Sequence, residues 1–129
     1  MEPPPIRITL GPQPLAEISP ADSGTWGAEI SFIGRVRDTE DGRPLRGITY
    51  TAYPAMAQRQ MEQLATELQS EYGPHPLTLH HRLGFIPNGH ASLWIIVAGK
   101  HSATTFTLLA EYVRRLKLHV PIWKEVEHL

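Results

Sequence analysis

Apolar and polar residues alternate in several short stretches of the chain, which is the period-two pattern of a strand with one buried face. The pattern predicts five strands, at residues 6–10, 26–36, 47–53, 77–83 and 91–99. Asp41-Gly42 lies in the polar segment 37–46 and has the composition of a tight turn. We therefore expect the second and third of these strands to pair as a hairpin.

Two longer stretches repeat apolar residues every three or four positions, the period of a helix with one buried face. Pro54 is suited to begin the first helix, because a proline there loses no hydrogen bond, and Gly73-Pro74 ends it. Ser102 is the expected N-cap of the second helix, which Pro121 cannot continue. The predicted buried faces are Ala57, Met61, Leu64, Ala65, Leu68 and Tyr72, and then Phe106, Leu109, Ala110, Val113 and Leu116.

This order of elements predicts an α+β fold with a mainly antiparallel sheet and two main helices. Neither helix follows a glycine-rich phosphate loop. With 129 residues, the chain has close to the commonest size of one domain, so we expect a single domain over residues 1–129. The segment 121–124 is expected to be extended.

Composition excludes several classes of chemistry. The chain has no cysteine, which rules out disulfides, thiolate metal sites and a cysteine nucleophile. A net charge of −1 argues against a general nucleic-acid binder, and no ligand spacing indicates a metal, so we expect no cofactor. No apolar run approaches the roughly 20 residues of a membrane span. The start at Met1 lacks a signal-peptide pattern, so the expected location is cytoplasmic.

Basic side chains near strand and helix ends are the candidate functional groups. Arg35 and Arg37 lie two positions apart at a strand end and so share one face. Arginine forks bind phosphate or carboxylate, although a solvated strand edge gives the same pattern. Lys117 and Lys124 lie on either side of Pro121. Lysines held close together can act as acid, base or nucleophile, and two ordinary surface lysines are the alternative.

The histidines suggest different roles. His80 and His81 lie on one predicted strand and face opposite sides, so we expect structural or hydrogen-bonding roles rather than a shared metal. His101 lies at a helix N-terminus, where backbone amides and the helix dipole favour anions. Together the candidates predict a pocket for an anionic substrate. Its residues are Arg35, Arg37, His101, Lys117 and Lys124.

Several short motifs occur in a specific order and spacing. They are Gly11-Pro12-Gln13-Pro14, Gly34-Arg35-Val36-Arg37, Tyr53-Pro54 with Met56, His81-Arg82-Leu83-Gly84, His101, Leu116-Lys117 and Pro121-Ile122-Trp123-Lys124. In these motifs the chain resembles the molybdopterin synthase catalytic (large) subunit family, from about Gly11 to Glu125. The resemblance implies an α+β fold of the α/β hammerhead type and a homodimer.

The resemblance also implies a sulfurtransferase of molybdenum cofactor biosynthesis. Each copy would bind a small ubiquitin-like sulfur-carrier subunit, giving a heterotetramer, and the carrier's thiocarboxylated Gly-Gly tail would enter the pocket. Two sulfurs would pass to cyclic pyranopterin monophosphate and form the dithiolene of molybdopterin. The absence of cysteine is consistent with this scheme, because the carrier brings the sulfur.

Roles follow by position from the resemblance. Lys117 would lie at the thiocarboxylate and assist its attack or stabilise the developing oxyanion. Lys124 would complete the pocket, as a proton donor or acceptor or by binding substrate. The implied substrate-binding residues are Arg35, Val36, Arg37, His101, Ser102, Lys117, Lys124 and Glu125.

The chain departs from the family pattern in four places. Ser102 stands where arginine is usual, and Thr51 and Val126 stand where glutamate is frequent. The sequence also ends at Leu129, before the end of many relatives. One alternative is therefore a non-catalytic relative that binds the carrier without turnover, and another is an unrelated small-anion binder. We favour the enzyme, because both lysines are retained.

Overall fold

The computed structural model describes residues 3–15, 18–21 and 23–129, so Met1, Glu2, Ala16, Glu17 and Asp22 lie outside the described residues. Its elements in chain order are β1 (Ile6–Gly11), β2 (Ala28–Arg35), β3 (Thr39–Glu40), β4 (Arg43–Ala52), α1 (Pro54–Tyr72), β5 (Leu77–Arg82), β6 (Gly84–Pro87), β7 (Ala91–Gly99), α2 (Ser102–His119) and β8 (Ile122–His128). Neither α1 nor α2, the helices of this described part, is long and apolar enough to span a membrane.

The larger sheet has the strand order β1-β5-β7-β2. β1 runs parallel to β5, and the β5–β7 and β7–β2 pairs are antiparallel. Both helices pack on one face of this sheet and bury the main core with it. The strands contribute Leu77, Leu79, Leu93, Ile95 and Val97, and the helices contribute Ala57, Met61, Leu64, Leu68, Leu108, Tyr112 and Leu116.

A smaller sheet forms around β4. β3, β6 and β8 each pair with β4 in the antiparallel sense. Val36, Leu45, Ile48 and Ile86 form a second core there, and Val126 packs against it. This packing gives a structural reason for an apolar residue at position 126.

The predicted first helix is confirmed from Pro54 to Tyr72, and its predicted face is buried except for Tyr72, which is partly buried against the core. The second helix is confirmed in extent, but its buried face is Thr105, Leu108, Leu109, Tyr112 and Leu116. The prediction that Phe106 and Ala110 face the core is wrong, and Phe106 is 62% exposed. Thr105, Leu108 and Tyr112, which the predicted face did not include, are buried in their place.

Ser102 is not the N-cap that the sequence predicts. It is the first residue of α2, and the N-cap is His101, which makes no capping bond with its side chain. Instead, the hydroxyl of Thr105 donates to the His101 carbonyl oxygen at 2.6 Å. The same oxygen also accepts the Thr105 backbone N–H, at 3.2 Å.

The predicted turn at Asp41-Gly42 is confirmed, with positive φ at both residues, as a type I′ hairpin requires. Its predicted partners are wrong, because the turn joins β3 to β4 while β2 lies in the other sheet. β6 is an additional strand that the alternation pattern did not predict. The extended segment after Pro121 is confirmed and continues as β8. The α+β class with mainly antiparallel sheets is confirmed as well.

Candidate active site

A cavity of about 440 Å³ opens where the end of α2 and the start of β8 meet the two sheets. Such a volume lies within the usual range of ligand sites. Its polar wall is formed by Arg35, Tyr50, His81, Ser92, Lys117 and Lys124. The remaining wall is mostly apolar and includes Phe32, Leu93 and Ile122.

Three of the predicted site residues come together in this cavity. Arg35 ends β2 just after an irregularity in the β2–β7 pairing, and its Nη1 donates to the Gly89 carbonyl oxygen at 2.9 Å. Lys117 lies in the last turn of α2 beside buried Leu116. Lys124 lies on β8 directly opposite Tyr50 of β4. The chain reverses between the two lysines at Pro121, so residues seven apart reach one cavity.

Arg37 lines a smaller neighbouring cavity of about 80 Å³, which shares Arg35, Tyr50 and Lys124 with the first. Val36, between the two arginines, is buried in the second core. Glu40 also lines the smaller cavity, and its Oε1 lies 3.7 Å from Lys124 Nζ. No sequence signal indicated Glu40, because it stands in the polar segment 37–46.

His101 and Ser102 lie elsewhere. His101 lines a separate cavity of about 280 Å³ at the N-terminus of α2. In the β2–β7 ladder, Ala28 pairs with Gly99 and Arg35 pairs with Ala91. Seven residue steps along β2 therefore separate the two ends, roughly 23 Å. One chain alone does not bring His101 to Arg35, contrary to the predicted five-residue pocket.

One predicted substrate-binding residue and one departure from the family pattern lie near the site without lining it. Glu125 is exposed and pairs with Thr49 across the β8–β4 ladder, so its side chain is not part of the cavity wall. Thr51 is also exposed and lies opposite Trp123. The exposed Trp123 in turn packs edge-on against Tyr53, with ring centroids 5.6 Å apart.

His81, for which the sequence predicts a structural or hydrogen-bonding role, is a further functional candidate. Only 7% of the residue is exposed, and the ring lines the cavity. Its Nδ1 lies 2.9 Å from the Arg82 carbonyl oxygen, and Tyr50 packs against the ring with centroids 5.1 Å apart. Burial lowers the pKa of His81, so the neutral imidazole is favoured. Side chains alternate along β5, so one of its two histidines faces inward. This alternation is the sequence signal that could have indicated His81.

The charge of the two cavities suits an anionic ligand. Arg35, Arg37, Lys117 and Lys124 line them, and Glu40 is the only acidic residue on their described walls. Arginine and lysine donors bind phosphate and carboxylate groups. Within the described ranges, no group of three or more histidine or acidic residues could hold a metal ion.

Comparison with known proteins identifies related chains. The model of the family described as MoaE protein matches residues 9–119. A relative from Emericella nidulans named molybdopterin synthase catalytic subunit is 32% identical over 114 residues, which is 88% of this chain. The chain spans only 58% of the length of that relative.

Solved structures show the same fold. Molybdopterin synthase from Staphylococcus aureus superposes with a TM-score of 0.82 at 24% identity, over 100% of this chain and 93% of that chain. A complex of subunits 1 and 2 of molybdopterin-converting factor from Helicobacter pylori 26695 gives a TM-score of 0.66 at 24% identity, over 81% and 72% of the two chains. The predicted α/β hammerhead type of fold is thereby confirmed.

Proposed function

Because the chain belongs to the MoaE protein family, we propose that it acts as a catalytic subunit of molybdopterin synthase. The reaction is a sulfur transfer to cyclic pyranopterin monophosphate that builds the dithiolene of molybdopterin. The observation that carries this proposal is the convergence of Lys117 and Lys124 with Arg35 in one cavity. Binding of a carrier without turnover needs no such cluster of cations.

The sulfur donor is a second protein, since the chain has no cysteine of its own. The carrier is a small ubiquitin-like subunit whose thiocarboxylated Gly-Gly tail enters the cavity. The Helicobacter relative is described as a complex of two subunits, which supports a partner of this kind. The proposal includes a cytoplasmic location.

The side chains divide the work by their chemistry. Arg35 and Arg37 bind the substrate phosphate, because guanidinium forks match its oxygens. Lys117 stabilises the oxyanion that develops on the carrier's terminal carbonyl, a contribution typically of about 10²–10³ in rate. Lys124, held by Glu40 at the junction of the two cavities, donates to the substrate.

A homodimer completes the site in this proposal. His101 and Ser102 lie at the far end of the β2–β7 ladder from Arg35, so they serve the cavity of a second copy. With one carrier on each catalytic subunit, the assembly is a heterotetramer. Ser102 stands where relatives usually carry arginine, and Arg35 supplies the guanidinium that Ser102 lacks.

A reconstituted assay tests the proposal. Purified protein, thiocarboxylated carrier and cyclic pyranopterin monophosphate are combined, and molybdopterin formation is measured beside the Lys117→Ala variant. We expect product from the wild type and a loss of about 100-fold or more in the variant. Arg59→Ala, an exposed site on α1, is the control and should match the wild type. Stable carrier binding with no product from the wild type would instead identify a non-catalytic relative.

A further inference from the structure

His81 presents an acceptor atom that none of the roles above uses. Its Nδ1 lies 2.9 Å from the carbonyl oxygen of Arg82. A carbonyl oxygen only accepts, so Nδ1 carries the hydrogen in this contact. The neutral ring then has its lone pair on Nε2, at the opposite side of the imidazole.

Nε2 is open to the cavity. Among the described residues, His81 makes one hydrogen bond, and Nδ1 accounts for it. Nε2 of His81 therefore has no hydrogen-bond partner there, but unlike Nε2 of His80 it is not a buried atom. The edge contact with Tyr50 holds the ring at the cavity wall. The lone pair is therefore fixed in position by two contacts.

Apart from the Tyr50 hydroxyl, the other polar groups of this wall are of the donor type or already engaged. Arg35, Lys117 and Lys124 have donor groups. The hydroxyl of Ser92 donates to the Gly34 carbonyl oxygen at 3.3 Å. His81 is the one imidazole on the described wall, and a neutral imidazole is the usual general base in proteins.

The proposed sulfur transfer, on which this inference rests, needs such a base. When the carrier's thiocarboxylate sulfur displaces an oxygen from a carbon of the substrate, the carbon–sulfur bond forms and the carbon–oxygen bond breaks, with its electron pair leaving on the oxygen. The product is a thioester that joins carrier and substrate. Water must then cleave the bond between the carbonyl carbon and sulfur, because otherwise the sulfur stays attached to the carrier.

We propose that Nε2 of His81 takes the proton from the water that hydrolyses this thioester. The water oxygen bonds to the carbonyl carbon, the carbon–sulfur bond breaks, and the sulfur leaves as a thiolate on the substrate. The carrier ends as a carboxylic acid, which ionises and releases the second proton. Lys117 stabilises the intermediate oxyanion on the same carbonyl, so base and oxyanion partner lie on one wall.

The test uses two matched variants on adjacent positions of β5. His81→Asn keeps a side-chain N–H for the Arg82 carbonyl oxygen but has no basic atom. His80→Asn is the control, because His80 lies on the other face of the strand and does not line the cavity. Single turnovers with thiocarboxylated carrier and cyclic pyranopterin monophosphate are quenched and analysed by intact-protein mass spectrometry.

We expect His81→Asn to slow product formation by about 100-fold or more, the usual range for loss of a general base. A carrier–substrate adduct should accumulate, and neutral hydroxylamine should cleave it as it cleaves thioesters. His80→Asn should behave as the wild type, without adduct.

Two results would overturn the inference alone. One is an active wild type with His81→Asn equally active; the other is an inactive His81→Asn in which no adduct forms. A wild type that makes no product would overturn the proposed function and this inference with it. The three outcomes are distinguished by the wild-type arm and the adduct.

Discussion

Lys124 Nζ lies 3.7 Å from Glu40 Oε1, so an ion pair joins β8 to the β3–β4 hairpin beside the cavity. The other carboxylate oxygen, Oε2, is buried and has no hydrogen-bond partner among the described residues. More than half of the Lys124 side chain is exposed, at 56%. The pair therefore orients a lysine of the site rather than stabilising the fold to any large extent.

Glu40→Gln should reduce sulfur transfer while leaving the fold almost unchanged. An exposed pair is worth up to about 1 kcal/mol, so activity should fall by up to about fivefold, and the melting temperature should hardly change. Activity and thermal melts measured together check this, with exposed Glu62→Gln as the control. An unchanged activity would show that Glu40 does not orient Lys124.

Mixed dimers test whether His101 serves the cavity of a second copy. His101→Ala and Lys117→Ala are each expected to be inactive alone. In a dimer of the two, one cavity combines an intact Lys117 with an intact His101 from the other copy. Random mixing should therefore restore about a quarter of the wild-type activity. No recovery in a mixture shown to contain mixed dimers would mean that both residues act within one chain.

The free energy of unfolding should decrease as the pH falls below about 6.5. Burial lowers the pKa of His75, His80 and His81 from the ordinary value of 6.5. As the pH falls, the unfolded chain therefore takes up protons before the folded chain does. The contribution of the three neutral histidines to stability is complete above about pH 6.5, and it is lost as the pH falls towards their lower folded-state pKa values. Urea unfolding between about pH 7.5 and 5.5 measures the loss.

His75→Gln provides the control for that pH dependence. His75 is buried, and its Nε2 lies 2.6 Å from the Tyr112 hydroxyl oxygen. The variant should be less stable at neutral pH but show a shallower loss towards acid. The ion pairs of Glu111 do not interfere, because hydrogen bonds from Arg114 and Arg115 lower the pKa of Glu111 to about 2. An identical slope in the variant would contradict the assignment to His75.

Gly47→Ala should destabilise the smaller sheet. A Cβ at Gly47 would collide with the Ile86 carbonyl oxygen and would lie 2.7 Å from the Phe85 ring. β6 pairs with β4 at this point, so β6 would have to move, at a cost of about 1–3 kcal/mol. Gly24→Ala, where no atom lies within 4 Å, is the control. Equal denaturation midpoints for the two variants would contradict the close approach.

Helices and strands with a clear period of apolar residues were predictable from the sequence. How these elements pair and pack against one another was not. Helix α1 follows from its apolar spacing between Pro54 and Gly73. The partners of the Asp41-Gly42 turn did not follow, because turn chemistry fixes where a hairpin reverses but not which sheet holds it. The buried face of α2 was shifted because Tyr112 buries its ring while bonding to His75.

The residues of the site were likewise predictable by type, but their positions relative to one another were not. Residue type and motif order indicated Arg35, Lys117 and Lys124, which do share a cavity. The distance of His101 could not be predicted, since it depends on the β2–β7 register. Strand alternation turned His81 inward, but it does not tell a core position from a cavity wall.

The position of β8 has a consequence for biosynthesis of the protein. β8 follows every other element along the chain, carries Lys124 and covers one edge of β4. During translation, therefore, the helices and the larger sheet emerge from the ribosome while the cavity still lacks a wall. Until β8 arrives, β4 exposes unpaired backbone groups of the kind that invite aggregation. By pairing with β4, β8 thus both covers this exposed edge and adds Lys124 to the cavity wall.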